Sequence, residues 1–299
     1  MVEGNNDMSA GKKALAVVRC GDASLHESWS TDQSTVDLAI SYFGDDAERQ
    51  FPGATYVHRY KGGKWDGIYN FFVANPEAAG AYDYYWFPDD DVRMSPSDLR
   101  KLLEIGERHG LDLFQPALDQ NSYYSHLITL RNSGFLLRYT NFVEIMAPML
   151  SANLLNAVLV QMAETRSGFG LDFIWVRTAW GFAEHHARNT AIVDDVTMEH
   201  TRPVGGSLHV FLSKLGRRSA NDELGDAIRK DGKNLARING VATPRIRVLG
   251  ALRRDATPMA RWALPLRIAY DLAFGDRNRR RQPKVIQVIK HAMKAVASA

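Results

Sequence analysis

AYDYYWFPDDDVRM, residues 81–94, is an aromatic and apolar run from Tyr82 to Phe87 that ends in Pro88 and three adjacent acids, Asp89, Asp90 and Asp91. Such a run has the composition of a buried strand. Neighbouring carboxylates repel one another, and ionised ones are costly to bury without a partner. Here they are either a solvated acidic turn or a group that needs a cation. Mg²⁺ and Mn²⁺ take oxygen ligands, one or two from protein and others from substrate phosphates. Ligand sites in open α/β sheets lie at the carboxyl ends of strands. The stretch therefore marks a candidate metal–diphosphate site, with Asp89 and Asp91 as metal contacts and Asp90 facing a sugar or ribose hydroxyl.

Working back from this stretch, ALAVVRC (14–20) and VDLAISYFGDD (36–46) are two more apolar strands that end in glycine and acid. ATYVHRY (54–60) reads as a third. Asp45 and Asp46 are placed to accept hydrogen bonds from a base or ribose, or are simple turn acids. Within 61–80, Trp65, Ile68, Phe71 and Phe72 fall at helical spacing, and Pro76 marks the end. Lys64 at the helix entry either pairs with a diphosphate as a point charge or is solvated.

Working forward, SPSDLRKLLEIGERHG (95–110) predicts a helix with Ser95 as N-cap and Pro96 at its first position. LDLFQPALD (111–119) is extended, and HLITLRN (126–132) alternates like a strand. SANLLNAVLVQMAE and LDFIWVRTAWGFA predict helices, and TAIVDDVTMEH a strand ending at His200. Strands alternating with helices as far as about residue 120 imply an α/β fold with a mostly parallel sheet.

Three further residues are candidates. Glu144 sits inside the apolar FVEIMAP, so it either pairs with a base such as Arg131 or faces a pocket and holds a substrate hydroxyl. Asp172 follows the glycines of GFGLDF and is either a general base or an acid favoured by a helix N-terminus. His200 is a metal ligand or a structural histidine. No Gly-rich phosphate loop, nucleophile elbow or zinc-ligand spacing is present. The single cysteine, Cys20, excludes an internal disulfide and points to a reducing compartment.

Apolar content of 45% and charged content of 24% are those of a soluble globular protein. The net charge of +3 is unevenly spread. Residues 207–299 hold 20 basic against 7 acidic residues, a net of +13, which leaves −10 on residues 1–206. A boundary is expected at Pro203–Gly206, between a main domain (1–206) and a basic, mainly helical region (207–299). That region holds PMARWALPLRIAYDLAF (258–274), a helix interrupted at Pro265, the cationic RNRRRQPK (277–284) and QPKVIQVIKHAMKAVASA (282–299). A cationic amphipathic helix lies on an anionic membrane, or packs on protein with a solvated basic face. A nucleic-acid partner is not expected, for want of a binding fold. The N-terminus has no signal-peptide core and no run spans a membrane, so a cytoplasmic protein is expected, with peripheral contact at the membrane's inner face.

The order of segments resembles the DUF707 family, plant and bacterial proteins placed among glycosyltransferases of GT-A fold. Over about residues 55–206 the chain has that family's acidic cluster after an aromatic strand, then QPALD (115–119), HLIT (126–129), FVEIMAP (142–148), GFGLD (168–172) in place of its Gly-Trp-Gly-Leu/Met-Asp, and Val193-Asp194 followed by His200. The segment between Arg131 and Asn141 is shorter than in plant members, and the basic C-terminal region has no counterpart. The resemblance implies a GT-A-like sheet and transfer of a sugar from a nucleotide-diphosphate sugar, UDP-linked by preference, to a glycan or lipid-linked glycan. It implies Mn²⁺ or Mg²⁺ on Asp89, Asp91 and His200, and Asp172 as base if the reaction inverts. From the residues themselves, donor contacts are expected from Asp45, Lys64, Asp89 and Asp90, and acceptor contacts from Glu144 and His126. A nucleotidyl- or phosphotransferase and a non-catalytic nucleotide-sugar-binding protein stand as alternatives.

Overall fold

The structure, a computed structural model, describes residues 14–30, 36–165, 167–183, 188–204, 220–231, 235–238, 241–274 and 285–296. Its centre is one ten-stranded sheet. In chain order the strands are β1 (Ala14–Cys20), β2 (Val36–Tyr42), β3 (Tyr56–Arg59), β4 (Tyr84–Trp86), β5 (Val92–Arg93), β6 (Leu113–Leu118), β7 (Phe135–Thr140), β8 (Met149–Ser151) and β9 (Thr190–His200). A later strand, Val248–Arg253, completes it at the edge beside β7.

Strands β3, β2, β1 and β4 run parallel, as do β6 and β9. The sheet as a whole is mixed, which corrects the expected mostly parallel one. β8 lies between β4 and β6, antiparallel to both, and β7 is antiparallel to β9 and to Val248–Arg253. β8 is three residues long, too short for any periodicity to show in the sequence. HLITLRN is not a strand: Leu127–Thr129 is a 3₁₀ turn, closed by Thr129, whose N–H (3.1 Å) and Oγ1 (2.8 Å) both donate to the His126 carbonyl.

β1, β2 and β6 are buried along their whole length, which explains their unbroken apolar runs. Side chains alternate between two layers. Ala14, Ala16, Val18 and Trp86 point into one, and Leu15, Val17, Tyr85 and Phe87 into the other. The second layer is closed by helices α1 (Lys64–Ala74), α3 (Ala152–Ala163) and α4 (Leu171–Trp180), through Trp65, Phe71, Leu154, Val158 and Trp175. Helix α2 (Pro96–Arg108) closes the first through Leu99, Leu102 and Leu103. Burying one such Leu or Phe contributes ~1.5–3 kcal/mol. Ser95 caps α2 by accepting from the Asp98 N–H, with Pro96 at the first turn, as its sequence predicts.

Residues beyond 206 contribute to this same core. Besides the edge strand, the helices Leu264–Phe274 and Val285–Val296 pack Leu264, Ile268, Leu272, Val288 and Ala292 into the first layer. Pro265 does not interrupt a helix but sits in the first turn of one, where its missing N–H costs nothing. A further helix, Ala220–Asp231, and a two-stranded ribbon, Leu235–Ile238 with Val241–Pro244, complete the region. All of RNRRRQPK (277–284) and part of the expected boundary at 203–206 lie outside the described residues. Among the described residues no helix is long and apolar enough to cross a membrane.

Candidate functional site

The acids reach their place through two adjoining pieces of backbone. β4 delivers Asp89–Asp91 at its carboxyl end. The two-residue β5 that follows pairs antiparallel with the end of β9, setting Val92 opposite His200 and Arg93 opposite Glu199. The Asp91 carbonyl then accepts from the N–H (3.1 Å) and Oγ1 (2.9 Å) of Thr201. This ladder brings His200 to Asp91 across more than a hundred residues of sequence. Ligand atoms of Asp89, Asp91 and His200 all lie within 4.8 Å of one another.

Three observations fit a divalent cation there. The buried Asp91 Oδ1 has no hydrogen-bond partner, a costly state for a carboxylate. His200 Nδ1 lies 2.9 Å from the Tyr123 carbonyl. A carbonyl only accepts, so Nδ1 carries the proton and Nε2 is left facing Asp91 Oδ2 at 3.3 Å. Two oxygens and an imidazole nitrogen are a donor set that Mn²⁺ and Mg²⁺ accept. Burial disfavours the protonated imidazole, but the hydrogen bond and charge of Asp91 outweigh it and raise the His200 pKa.

Lys64 Nζ lies 2.5 Å from Asp89 Oδ1 and also donates to the carbonyls of Ile145 (2.8 Å) and Met146 (2.9 Å). Those contacts engage all three ammonium donors. Lys64 thus clamps Asp89 to the 145–146 backbone. Asp89 keeps 38% side-chain exposure, yet crowding by protein raises its pKa against the lowering pull of Lys64.

Glu144 and Asp172 form the second half of the cluster. Glu144 is buried, its Oε2 has no hydrogen-bond partner, and its N–H donates to Gln115 Oε1 at 2.5 Å. Arg131 Nε donates instead to the Asp194 carbonyl. Burial first, then the charge of Asp172, pushes the Glu144 pKa up to about 8. Asp172, in the first turn of α4, accepts the Ile145 N–H at 2.7 Å. Burial pushes its pKa up to about 7.

The glycines before Asp172 are explained by a side chain. Gly168 has φ +77°, and a Cβ there would sit 2.2 Å from Trp65 Nε1; Gly170, at φ +101°, is the N-cap of α4. Glu223, on the Ala220–Asp231 helix, holds the same turn. Its Oε2 accepts from Thr165 Oγ1 (2.7 Å), Ser167 N–H (2.8 Å) and Ser167 Oγ (2.6 Å).

The remaining candidates stand differently. Asp90 accepts the Gly21 N–H at 3.0 Å and pairs with Arg202 at 3.1 Å, so both its oxygens have protein partners. Asp45 is fully exposed and paired with Lys61 at 2.6 Å. His126 packs its ring 4.7 Å from that of Phe142, which lies 5.3 Å from Phe173 beside Asp172; burial lowers its pKa to about 4.

Sequence reasoning missed Arg202, just before the expected boundary at Pro203, and Glu223. It also missed Arg19, whose guanidinium donates to the carbonyls of Ser41, Tyr60, Gly62 and Gly63 and so shapes the loop that enters α1 at Lys64. An arginine inside the apolar ALAVVRC was the available signal.

No known family profile matches the chain, so the DUF707 resemblance rests on its motifs alone. No curated protein sequence matches it either. Among solved structures, S. aureus TarS 1–349 in complex with UDP-GlcNAc matches with a TM-score of 0.47 and 11% identity, covering 73% of this chain and 65% of that one. A second TarS 1–349 structure gives 0.45 and 10%, covering 72% and 65%, and a longer TarS chain 0.45 and 11%, covering 72% and 39%. Likeness at this level leaves the activity and substrates of this chain to its own residues.

Proposed function

We propose that the chain is a metal-dependent glycosyltransferase of GT-A type. It moves a sugar from a nucleotide-diphosphate sugar, UDP-linked by preference, to a hydroxyl of a glycan or lipid-linked glycan, with inversion. The observation that supports this reading best is the meeting of two charge systems. A group suited to a divalent cation, Asp89, Asp91 and His200, adjoins a pair of buried carboxyls, Glu144 and Asp172, whose pKa values are raised towards neutrality.

Mn²⁺ or Mg²⁺ held by Asp89, Asp91 and His200 would supply positive charge against the leaving diphosphate. Lys64 adds its own charge and keeps Asp89 oriented. Asp172, half ionised near neutral pH, takes the proton from the attacking hydroxyl, since a base works best with a pKa near the operating pH. Glu144, mainly protonated there, donates a hydrogen bond to a substrate hydroxyl. Asp90 acts through the backbone, holding Gly21 and Arg202 at the mouth of β1. His126 forms part of the aromatic wall on the acceptor side, and Asp45 offers an exposed carboxylate on the donor side.

Incubation with UDP-sugars tests the reading. Release of UDP that needs Mn²⁺ or Mg²⁺, with a product of opposite anomeric configuration, is the expected result. Release of sugar 1-phosphate, with UMP passed to an acceptor, would place the chain among nucleotidyltransferases, and nucleotide-sugar binding without turnover among binding proteins.

A further inference from the structure

The two C-terminal helices bury one side and leave large apolar side chains on another. Trp262, Leu266, Tyr270 and Phe274 recur every four residues, 79%, 68%, 58% and 54% exposed, opposite the buried Leu264, Ile268 and Leu272. On Val285–Val296 the exposed stripe is Ile286, Ile289 and Met293, beside the buried Val288 and Ala292. Seven of the thirteen large apolar side chains exposed among the described residues thus belong to one short segment. Concentration of this kind marks an interaction surface.

The charge beside these stripes has one sign. Arg261, Lys290 and Lys294 are exposed and Arg267 is 40% exposed, with its guanidinium 5.9 Å from the Tyr270 ring centroid. Over residues 256–274 and 285–296 the one acid is Asp271, which is buried and paired with Arg267 at 3.0 Å.

We infer that this face docks on the surface of an anionic phospholipid bilayer. Trp and Tyr favour the headgroup boundary, and cations beside an apolar stripe reach the phosphates while their stems stay in the apolar layer. A second copy of the chain fits less well, because a twofold contact sets each patch against itself and so brings like charges together. The docking stands apart from the sugar-transfer chemistry and does not depend on it.

The test is co-sedimentation of the full chain with phosphatidylcholine vesicles, with and without phosphatidylserine. The protein is expected to pellet with the phosphatidylserine vesicles and to be released by high salt. Trp262→Ser with Leu266→Ser, and separately Lys290→Glu with Lys294→Glu, are each expected to lower the partition coefficient at least about tenfold, with an unchanged melting temperature. If the apolar pair melts early, the lysine pair decides alone. Wild-type protein that stays in solution with every vesicle overturns the inference, as does lysine-variant binding equal to wild type. So does light scattering that shows a dimer which Trp262→Ser with Leu266→Ser dissociates.

Discussion

Glu223 Oε2 accepts the Ser167 N–H at 2.8 Å, tying the turn that carries Asp172 to a helix more than fifty residues later. The candidate base is therefore positioned by the basic C-terminal region. Glu223→Ala removes three hydrogen bonds and frees the turn. Turnover of the UDP-sugar should fall about ten- to hundredfold through kcat, with little change in the affinity for UDP measured by calorimetry. An unchanged kcat would remove Glu223 from any positioning role.

The second prediction concerns pH. The Asp172 pKa, at about 7, stands above the usual 3.8. An acid whose folded pKa is raised contributes stability that is complete below about pH 3.8 and lost as pH rises through about 7. Asp172→Asn keeps an oxygen for the Ile145 N–H and removes the titration. Its melting temperature should gain on wild type as pH rises from about 3.8 to about 7, and level off above that. Its turnover should fall ~10²–10⁴-fold, and in wild type the rate should decline on the acid side of about pH 7.

Arg138 and Asp194 form a fully buried pair, Nε to Oδ2 at 2.7 Å and Nη2 to Oδ1 at 2.9 Å. Asp194 also accepts the Asn132 N–H. Asp194→Ala strands a buried guanidinium and should cost ~3–5 kcal/mol in denaturant unfolding. Replacing both by apolar residues, Arg138→Met with Asp194→Leu, should cost less. A double variant that loses as much as Asp194→Ala, or more, would contradict the penalty for a stranded guanidinium.

Gly168→Ala meets both a positive φ and the Trp65 indole. The left-handed backbone alone costs a β-carbon ~1–2 kcal/mol, and the contact adds to it. A melting temperature lowered by several degrees is expected, against no loss for Gly80→Ala, where a Cβ would meet no other atom within 4 Å.

Much of this was legible in the chain. β1, β2 and β6 are buried on both faces and so spell continuous apolar runs. β7 was not read because FLLRYT carries Arg138, and a charge inside a run normally signals solvent; here it is buried on Asp194. Val248–Arg253 is broken by Gly250 and ends in arginine, which hid the edge strand. In the site, Asp89, Asp91, His200, Asp172 and Glu144 stood out as polar residues at the ends or centres of apolar segments. Arg202 and Glu223 lie in polar sequence, where only the folded chain shows what they touch.

The central claim is that Asp89, Asp91 and His200 hold a divalent ion for a nucleotide diphosphate. Calorimetric titration of UDP into the full chain, with and without Mn²⁺, tests it most directly. The account predicts that UDP binds only with Mn²⁺ and that Asp91→Asn, which keeps the shape but not the charge, weakens binding at least about tenfold. UDP affinity that is indifferent to Mn²⁺, or unchanged in Asp91→Asn, would contradict it.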